Sequence, residues 1–286
     1  MNLDLKEITF VIVSYKSKKV IFNCIDSLPK LSKIIVIENS YDKELKKELE
    51  AKYDNIEVTL NENIGMGASN NIGIKKSNTN YVFILNPDVI FKENTFLGIK
   101  EALKKIDDFS IISPLNEDSN FPNYEIKKNY QNENIDIIEV DTVDGFSMLI
   151  NKSKFNDQNY FDENFFLYLE NTDLCLRQKK RNGRIYILKN SQIKHLGSYT
   201  TKQDLTSNLE YFRNWHWMWS KFYFNKKHYG FFTAFLKIFS NLLSPSFKLI
   251  FYLITFNHHK KKIYQMRVSG LVNSILGNKS FFRLNN

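Results

Sequence analysis

Residues 63–73 read Asn-Ile-Gly-Met-Gly-Ala-Ser-Asn-Asn-Ile-Gly, and the chain then passes through an apolar run to Asn86-Pro87-Asp88. Glycines allow backbone amides to come close to a ligand. The run Tyr81-Val82-Phe83-Ile84-Leu85 has the continuous apolar pattern of a buried parallel strand. A strand that stops near Asp88 places a carboxylate at its C-terminal end, where open α/β sheets bind their ligands. The stretch therefore predicts a ligand crevice with an acidic group that is available to hold a metal.

On both sides of this stretch, strand-like and helix-like segments alternate, which is typical of a parallel sheet with crossover helices. Residues 116–134 are polar and asparagine-rich, and we predict a loop there. The predicted fold class is α/β, with a Rossmann-like, mostly parallel sheet flanked by helices and a C-terminal helical extension. The other predicted strands cover 8–13, 33–37, 56–60, 109–114, 142–150 and 184–188, and the predicted helices cover 18–28, 42–53, 70–76, 95–105 and 170–181, with Gly183 as the C-terminal cap of the last helix.

The length of 286 residues favours one large domain with an appendage, which we place at 1–212 and 213–286. Cys24 and Cys175 are far apart in ordinary core or helix sequence, so we predict free thiols in a reducing compartment rather than a disulfide framework or a zinc site. The first apolar run, 8–13, is too short for a secretory signal. These features predict a cytoplasmic protein.

The positive charge is confined to the end of the chain. The formal net charge is +9, yet residues from Tyr211 onward contain twelve Lys and Arg and no Asp or Glu. The part before Tyr211 therefore has 28 basic and 31 acidic residues. An anionic partner, if there is one, is expected to bind the last quarter of the chain.

This last quarter is aromatic as well as basic. Apolar residues recur at helical spacing over 231–239 and 247–254, and Pro245 is predicted to separate two helices. Lys237 and Lys248 limit the uncharged runs to about ten residues, well under the roughly twenty that span a bilayer. We predict a segment that lies on an anionic membrane surface rather than crossing it. Packing on the first domain or on a second subunit is the alternative, and the apolar content is too high for a nucleic-acid groove.

Four separated segments resemble the family 2 inverting glycosyltransferases of GT-A fold, and among them the bacterial rhamnosyltransferase-like enzymes. Their order and spacing carry the resemblance, which covers roughly residues 8–220. The segments are Val11-Ile12-Val13-Ser14-Tyr15, then 63–88, then Val143-Asp144-Gly145-Phe146, and finally 165–177 with His195 after it.

The resemblance implies transfer of a sugar from a nucleoside-diphosphate sugar, with dTDP-rhamnose or a UDP-sugar as donor, to a hydroxyl of a glycan or lipid-linked acceptor. It implies inversion at the sugar, a divalent cation (Mg²⁺ or Mn²⁺), and a role in bacterial cell-surface polysaccharide synthesis at the inner face of the membrane. Asp88 and His195 match the metal ligands, and Asp144 and Gly145 match the acceptor side. The matched donor-binding positions are Ser14, Tyr15, Glu38, Asn63, Gly65, Gly67, Asn70 and Asn86.

Three positions depart from the family pattern. Glu38 stands where the family usually has Asp, and Asn86 replaces the first acid of the Asp-x-Asp metal motif. The catalytic base is usually the second residue of a Glu-Asp pair, and here that residue is Asn171. Glu170 is therefore our first candidate for the base, and Asp173 is the second candidate or the group that orients the site. Asp173 also lies four residues before Arg177, which allows a structural ion pair. Both acids also fit a purely structural interpretation, as helix N-terminal acids favoured by the macrodipole.

Two other functions compete with this interpretation. A sugar-1-phosphate nucleotidyltransferase also has a glycine-rich turn, but it needs basic residues there to bind triphosphate, and residues 65–73 have none. A non-catalytic relative that binds donor or membrane as a scaffold would explain Asn86 and Asn171. The released product, diphosphate or pyrophosphate, separates the first rival from a glycosyltransferase, and turnover separates the second.

Overall fold

The computed structural model describes residues 4–128, 130, 135–155, 158–197 and 207–283. The chain divides into two compact units, Met1–Asp162 with Glu170–Thr200, and Glu163–Leu169 with Thr201–Asn286. The second unit thus takes a short segment from the middle of the first. Residues 129 and 131–134 of the predicted loop lie outside the described residues.

A mixed sheet forms the centre of the first unit. Its strands are β1 Ile8–Ser14, β2 Lys33–Glu38, β3 Ile56–Leu60, β4 Tyr81–Leu85, β5 Val89–Phe91, β6 Ile111–Asn116, β8 Ile137–Glu139, β10 Ser147–Asn151 and β11 Ile185–His195, while β7 Tyr124–Glu125 and β9 Thr142–Val143 form a separate pair. The order is β3-β2-β1-β4-β10-β6-β11-β5, with β8 also on β11. Strands β3, β2, β1 and β4 are parallel, whereas β10 runs antiparallel to β4 and β6.

Helices cover both faces of this sheet because the side chains of a strand alternate between them. Phe10 and Ile12 of β1 pack in one cluster with α1 Lys18–Asp26, α2 Lys43–Lys52 and α4 Thr95–Lys105. Val11 and Val13 pack in the other with α3 Met66–Lys76 and α5 Glu170–Lys180. Strand β4 is buried on both faces, as its continuous apolar sequence predicted, and so are β1 and most of β2.

Several predicted boundaries were wrong. The strand predicted over 142–150 is interrupted by a turn at 144–146. His195, predicted to lie in a loop, is the last residue of β11, which shifts register between Leu188 and Gln192. Polar residues are exposed at this shift, so the second half of β11 continues a strand whose apolar sequence pattern has been interrupted. Helix α3 begins at Met66 rather than near Asn70, and the left-handed residue after α5 is Asn182 (φ 60°), not Gly183.

The second unit consists of three helices and the inserted segment. The helices are α6 Ser207–Tyr229, α7 Phe231–Ile254 and α8 His258–Ile275. The predicted break at Pro245 was wrong, since α7 runs through this buried proline without interruption. Helix α6 also runs through residue 212, so the expected domain boundary falls inside it.

The inserted segment Glu163–Leu169 packs on α6 through its aromatic residues. Phe165 meets Tyr223 with ring centroids 4.9 Å apart. The Phe166 ring stacks on His216 with centroids 4.8 Å apart. The Arg283 guanidinium lies 3.6 Å from the centroid of the same Phe166 ring. Burial lowers the pKa of His216 to about 4, so this imidazole stays neutral while its Nε2 pairs with the carbonyl of Phe282 at 2.8 Å. The segment is therefore held in place by Tyr223 and His216 of α6 and by Arg283.

Candidate active site

Two residues that are distant in sequence meet beyond the end of β4. Asp88 lies in the turn between β4 and β5, and the β11–β5 ladder places His195 opposite Val89. His195 Nε2 lies 3.3 Å from Asp88 Oδ1, and the amide of Leu196 donates to the Asp88 carbonyl at 3.0 Å. The Asp88 side chain is 9% exposed and that of His195 is 23% exposed. The two predicted metal ligands are thus neighbours at one edge of the sheet.

Residues that were not predicted as site residues hold this pair in place. The Phe146 ring stacks on His195 with centroids 4.0 Å apart and planes 18° from parallel. The Asn86 amide donates to the Phe146 carbonyl at 3.0 Å, and the Cys24 thiol donates to the Asn86 carbonyl at 3.7 Å. Phe146 lies inside one of the four matched segments, which was the available signal. The sequence around Cys24 gives no such signal.

The donor atoms at this edge fit a divalent cation that is shared with a ligand. Among the residues that the structure describes, no group of three or more His, Cys, Asp or Glu side chains could hold a metal alone. Mg²⁺ sites in phosphate-binding proteins commonly use one or two carboxylates, with substrate phosphates and water as the other ligands. Asp88 Oδ1 and His195 Nε2, which lie 3.3 Å apart, could serve as two of those ligands.

The glycine-rich turn brings α3 close to the start of α5. Gly65 has φ +100° and precedes α3, and its amide donates to the Asn63 side chain at 3.2 Å. A Cβ on Gly67 would lie 3.0 Å from the Cβ of Phe161 and 3.4 Å from that of Glu170. Only glycine permits this approach without displacing a neighbour. The turn that was predicted to contact ligand thus also determines how closely α3 approaches Glu170.

Glu170 is a buried acid at the first position of α5. The residue is 8% exposed, and burial raises its pKa to about 7. Its Oε2 has no hydrogen-bond partner within the described ranges. Tyr168 and Leu169, just before it, both have left-handed backbones with φ of 71° and 68°. Non-glycine residues with such backbones are uncommon and concentrate at functional sites.

Asn171 ties α5 to the segment that carries Asp144 and Gly145. Its Nδ2 donates to the Val143 carbonyl at 2.9 Å, and a Cβ on Gly145 would lie 3.3 Å from the Cβ of Asn171. The segment continues to Phe146, which stacks on His195. Contacts therefore run without a gap from the Asp88–His195 pair to the start of α5.

Asp144 follows Val143, whose carbonyl accepts from Asn171, and comes two residues before Phe146, which stacks on His195. Desolvation by surrounding protein raises its pKa, although the residue as a whole is exposed, and the charge of a protonated His195 opposes the rise. Asp144 is thus accessible from solvent.

Asp173 is committed to an ion pair. It is fully buried, and its Oδ2 accepts from Arg177 Nε at 2.9 Å. The same guanidinium donates to the carbonyls of Asn159, at 2.8 Å, and Tyr160. The pair therefore fastens α5 to the chain that leads into the inserted segment.

At the other end of the predicted site, Ser14 and Glu38 are paired at the C-terminal ends of β1 and β2. Glu38 is fully buried, and its Oε1 accepts from the Ser40 amide at 2.7 Å. Ser14 Oγ, Glu38 Oε2 and Asn70 Oδ1 are buried without a hydrogen-bond partner in the described structure. Such atoms cost roughly 1–3 kcal/mol each unless water or a ligand satisfies them.

Tyr15, half-buried, follows Ser14, and the Lys16 Nζ lies 5.5 Å from its ring centroid. Sequence reasoning missed Asn39, which is buried beside these residues. Its side chain pairs with Ser69 Oγ at 2.8 Å and accepts from Asn61 Nδ2 at 3.3 Å. Asn39 thus joins the ends of β2 and β3 to α3, and its place directly after Glu38 was the only sequence signal.

The sequence model of Glycosyl transferase family 2 matches residues 9–175, more than half of the chain. The low-salt glycan biosynthesis hexosyltransferase of Haloferax volcanii is 29% identical over 203 residues, which are 63% of this chain and 64% of that protein. The match thus spans less than two thirds of that relative.

Two solved structures share the fold. The mannosyltransferase PcManGT from Pyrobaculum calidifontis, in complex with GDP-Man and Mn²⁺, has a TM-score of 0.58 at 9% identity, over 96% of this chain and 88% of that one. S. aureus TarS 1-349 in complex with UDP-GlcNAc has a TM-score of 0.54 at 13% identity, over 98% and 94%. The predicted fold class, α/β with a central sheet flanked by helices and with C-terminal helices, is confirmed.

Proposed function

The chain belongs to glycosyl transferase family 2, and on that premise we propose that it transfers a hexosyl group from a nucleoside-diphosphate sugar to an acceptor hydroxyl, with inversion. The observation that carries the proposal is the buried carboxyl of Glu170, with a pKa of about 7 and an unpartnered oxygen. A general base works best when its pKa lies near the working pH. Glu170 has that property and stands beside the glycine-rich turn.

In the proposed reaction, Glu170 takes the proton of the acceptor hydroxyl as the oxygen attacks the anomeric carbon. The new carbon–oxygen bond forms on the face opposite the diphosphate, whose bond to the sugar breaks. The products are an inverted glycoside and a nucleoside diphosphate, and the proton stays on Glu170 until solvent removes it. One carboxylate is sufficient for this single displacement.

The neighbouring residues support Glu170 as the base. Asn171 has no basic oxygen at neutral pH, and its amide is used to hold Val143. Asp173 is fully buried, and its Oδ2 already accepts from Arg177, so this oxygen is not available to an acceptor hydroxyl. We propose that Asp173 positions α5, while Glu170 contacts the acceptor.

Asp88 and His195 would hold a divalent cation, Mg²⁺ or Mn²⁺. When bound, such an ion neutralises charge on a diphosphate leaving group. Asn86, which replaces an acid, contributes less to the ion in the absence of donor. Donor and metal are therefore expected to bind this chain together. The Mn²⁺ in the related PcManGT structure supports this part of the proposal.

We propose that the donor lies along the C-terminal edge of β1, β2 and β4. Ser14, Tyr15 and Glu38 would contact the base and ribose, and the buried oxygens without partners are the atoms that a ligand can satisfy. The segment from Asn63 to Asn70, with Gly65 and Gly67, would lie near the diphosphate. The hexosyltransferase relative supports a hexose, and the UDP-GlcNAc complex of TarS supports a UDP-sugar. A dTDP-rhamnose donor remains a prediction from resemblance.

The acceptor is proposed to be a growing glycan, lipid-linked, that enters on the side of Asp144 and Gly145. The setting would be bacterial cell-surface polysaccharide synthesis at the cytoplasmic face of the membrane. In this proposal residues 1–212 contain the chemistry, and residues 213–286 provide the membrane contact that is considered below.

The test is a screen of nucleotide sugars with the full chain and Mn²⁺ or Mg²⁺. A true donor raises the melting temperature only when the cation is present, and the same mixture with an acceptor releases nucleoside diphosphate. Asp88→Asn should abolish the cation-dependent shift, whereas Asp118→Asn, on an exposed loop, should leave it unchanged. NMR of the product reports the anomeric configuration. Release of pyrophosphate from a nucleoside triphosphate would identify a nucleotidyltransferase, and donor binding without turnover would identify a scaffold.

A further inference from the structure

Helix α7 presents a continuous row of large apolar side chains to solvent. The row recurs at intervals of three or four residues, which places it on one face of the helix. Its length is about 33 Å, from the helical rise of 1.5 Å per residue. We call it the α7 stripe; its members, with their exposed fractions, are Phe232 74%, Leu236 60%, Phe239 46%, Leu243 41%, Phe247 69%, Ile250 54% and Ile254 69%.

The opposite face of α7 already has its packing partners. Ala234 and Ile238 are fully buried in a cluster with Met218 and Phe222 of α6 and Leu271 of α8. The residues of the α7 stripe are therefore not among the buried residues of this small core. Its exposed apolar area is on the order of 700 Å², more than the largest apolar patch of a typical monomeric protein. Patches of that size mark a surface that is covered by a partner.

Basic residues lie at both ends of the stripe. Lys226 and Lys227 end α6 just before it, and the run 260–262 of three lysines opens α8 just after it. Along the helix, Lys237 Nζ lies 3.7 Å from the ring centroid of Tyr229 and Lys248 Nζ lies 5.4 Å from that of Tyr264. No acidic residue occurs from Tyr211 onward, and Glu210 of α6 pairs with His259 at 3.0 Å, so the lysines at both ends of the stripe outnumber the acids near it.

We propose that the α7 stripe binds an anionic lipid bilayer, with the helix axis in the plane of the interface. An apolar face bordered by lysines is the pattern of interfacial helices, and anionic headgroups complement the two basic ends. A second copy of the chain fits less well. Any pairing of two stripes side by side would bring lysine clusters together, whichever way the helices run.

Packing within the unit favours the in-plane position over a spanning one. By length and composition alone, the 24 residues of α7 could cross a membrane. Yet α7 packs against both α6, which has lysines and an arginine along its length, and α8, which has three lysines and an arginine in its first ten residues. A spanning α7 would carry those charges into the hydrocarbon, where they are unfavourable. An in-plane helix buries the stripe and leaves the charged helices on the water side.

The test measures binding of the full chain to vesicles of phosphatidylcholine, alone or mixed with phosphatidylglycerol. Binding should be at least about tenfold stronger to the anionic vesicles and should weaken as salt is added. The triple variant Phe232→Ser/Phe239→Ser/Phe247→Ser should reduce the partition coefficient by at least about a hundredfold. The matched control is Leu31→Ser/Leu97→Ser, at residues 66% and 57% exposed in the first unit, which should leave binding unchanged.

Three outcomes would overturn the proposal. The first is equal binding to both vesicles, and the second is unchanged binding by the triple variant. The third is a wild-type protein that does not bind vesicles and is a dimer by light scattering, while the triple variant is a monomer. Circular dichroism of each variant confirms that the helices are retained. Since no sugar transfer is required, this test and the test of the proposed function can fail separately.

The orientation has its own measurement. Fluorophores on Phe232→Cys and Ile254→Cys, at the two ends of the stripe, should be quenched equally by lipids that are brominated near the headgroup and confined to the outer leaflet. Cys24 and Cys175 are buried and should label slowly. Quenching of one label from each leaflet would show a spanning helix and refute the in-plane position.

Discussion

Replacing Glu170 with Gln should make the protein more stable and almost inactive. Glutamine keeps the size of the side chain but cannot take a proton from the acceptor. The loss of a general base typically lowers kcat by about 10²–10⁴-fold. Because burial raises the pKa of Glu170 to about 7, the wild-type rate should rise with pH up to about 7 and then level off. The residual rate of Glu170→Gln should not rise with pH over this range.

The stability change follows from the same pKa. In the unfolded chain the carboxyl returns to its ordinary value of 4.5, whereas in the native protein the pKa is about 7. Between these values the folded state holds a proton that the unfolded state has lost, so wild-type stability falls as pH rises. Above pH 7 the accumulated loss is about 3 kcal/mol as an upper limit. Glutamine is always neutral, so the variant avoids this loss.

Urea denaturation of both proteins measures the effect. The two free energies of unfolding should agree near pH 4.5 and diverge up to pH 7, with the variant the more stable by about 1–3 kcal/mol. Glu101→Gln, an exposed acid on α4, is the matched control and should change neither activity nor stability. A Glu170→Gln protein that keeps its activity within about threefold, or that is less stable than the wild type at high pH, would refute the assignment of Glu170.

Three further changes test other parts of the site. Asn86→Asp adds a carboxylate beside the metal pair and should lower the cation concentration for half-maximal donor protection about tenfold, as read by thermal shift; no change would place Asn86 away from the ion. Arg177→Met leaves a buried carboxylate without its cation and should lower the free energy of unfolding in urea by about 3–5 kcal/mol, whereas a loss below about 1 kcal/mol would mean that the pair is not stabilising. Gly67→Ala pushes against Glu170 and should lower kcat by about ten- to a hundredfold, and a full wild-type rate would contradict the close packing.

The sequence predicted the central strands well because β1, β2 and β4 are buried on both faces and carry unbroken apolar runs. Strands β5 and β8 are three residues long, too short for any period to be detected. Pro245 was predicted to break a helix because it lacks an amide hydrogen, yet its ring is buried in a continuous α7.

The site was predictable only in part. The residue types at the strand ends indicated a ligand crevice, but the meeting of Asp88 with His195 depends on a ladder of β5 with β11 that neither strand reveals locally. The buried environment that raises the pKa of Glu170, and the stacking of Phe146 on His195, arise from tertiary packing and have no local pattern.

The insertion of Glu163–Leu169 into the helical unit sets an order for biogenesis. On a translating ribosome, Phe165 and Phe166 emerge well before Tyr223, His216 and Arg283, the residues that enclose them. Phe165 and Phe166 therefore stay without these packing partners until residue 283 has been synthesised, and holdase chaperones are expected to bind them in the meantime. Arrested chains that end before residue 207 should be cut by protease between Asp162 and Glu170, while the released protein should resist.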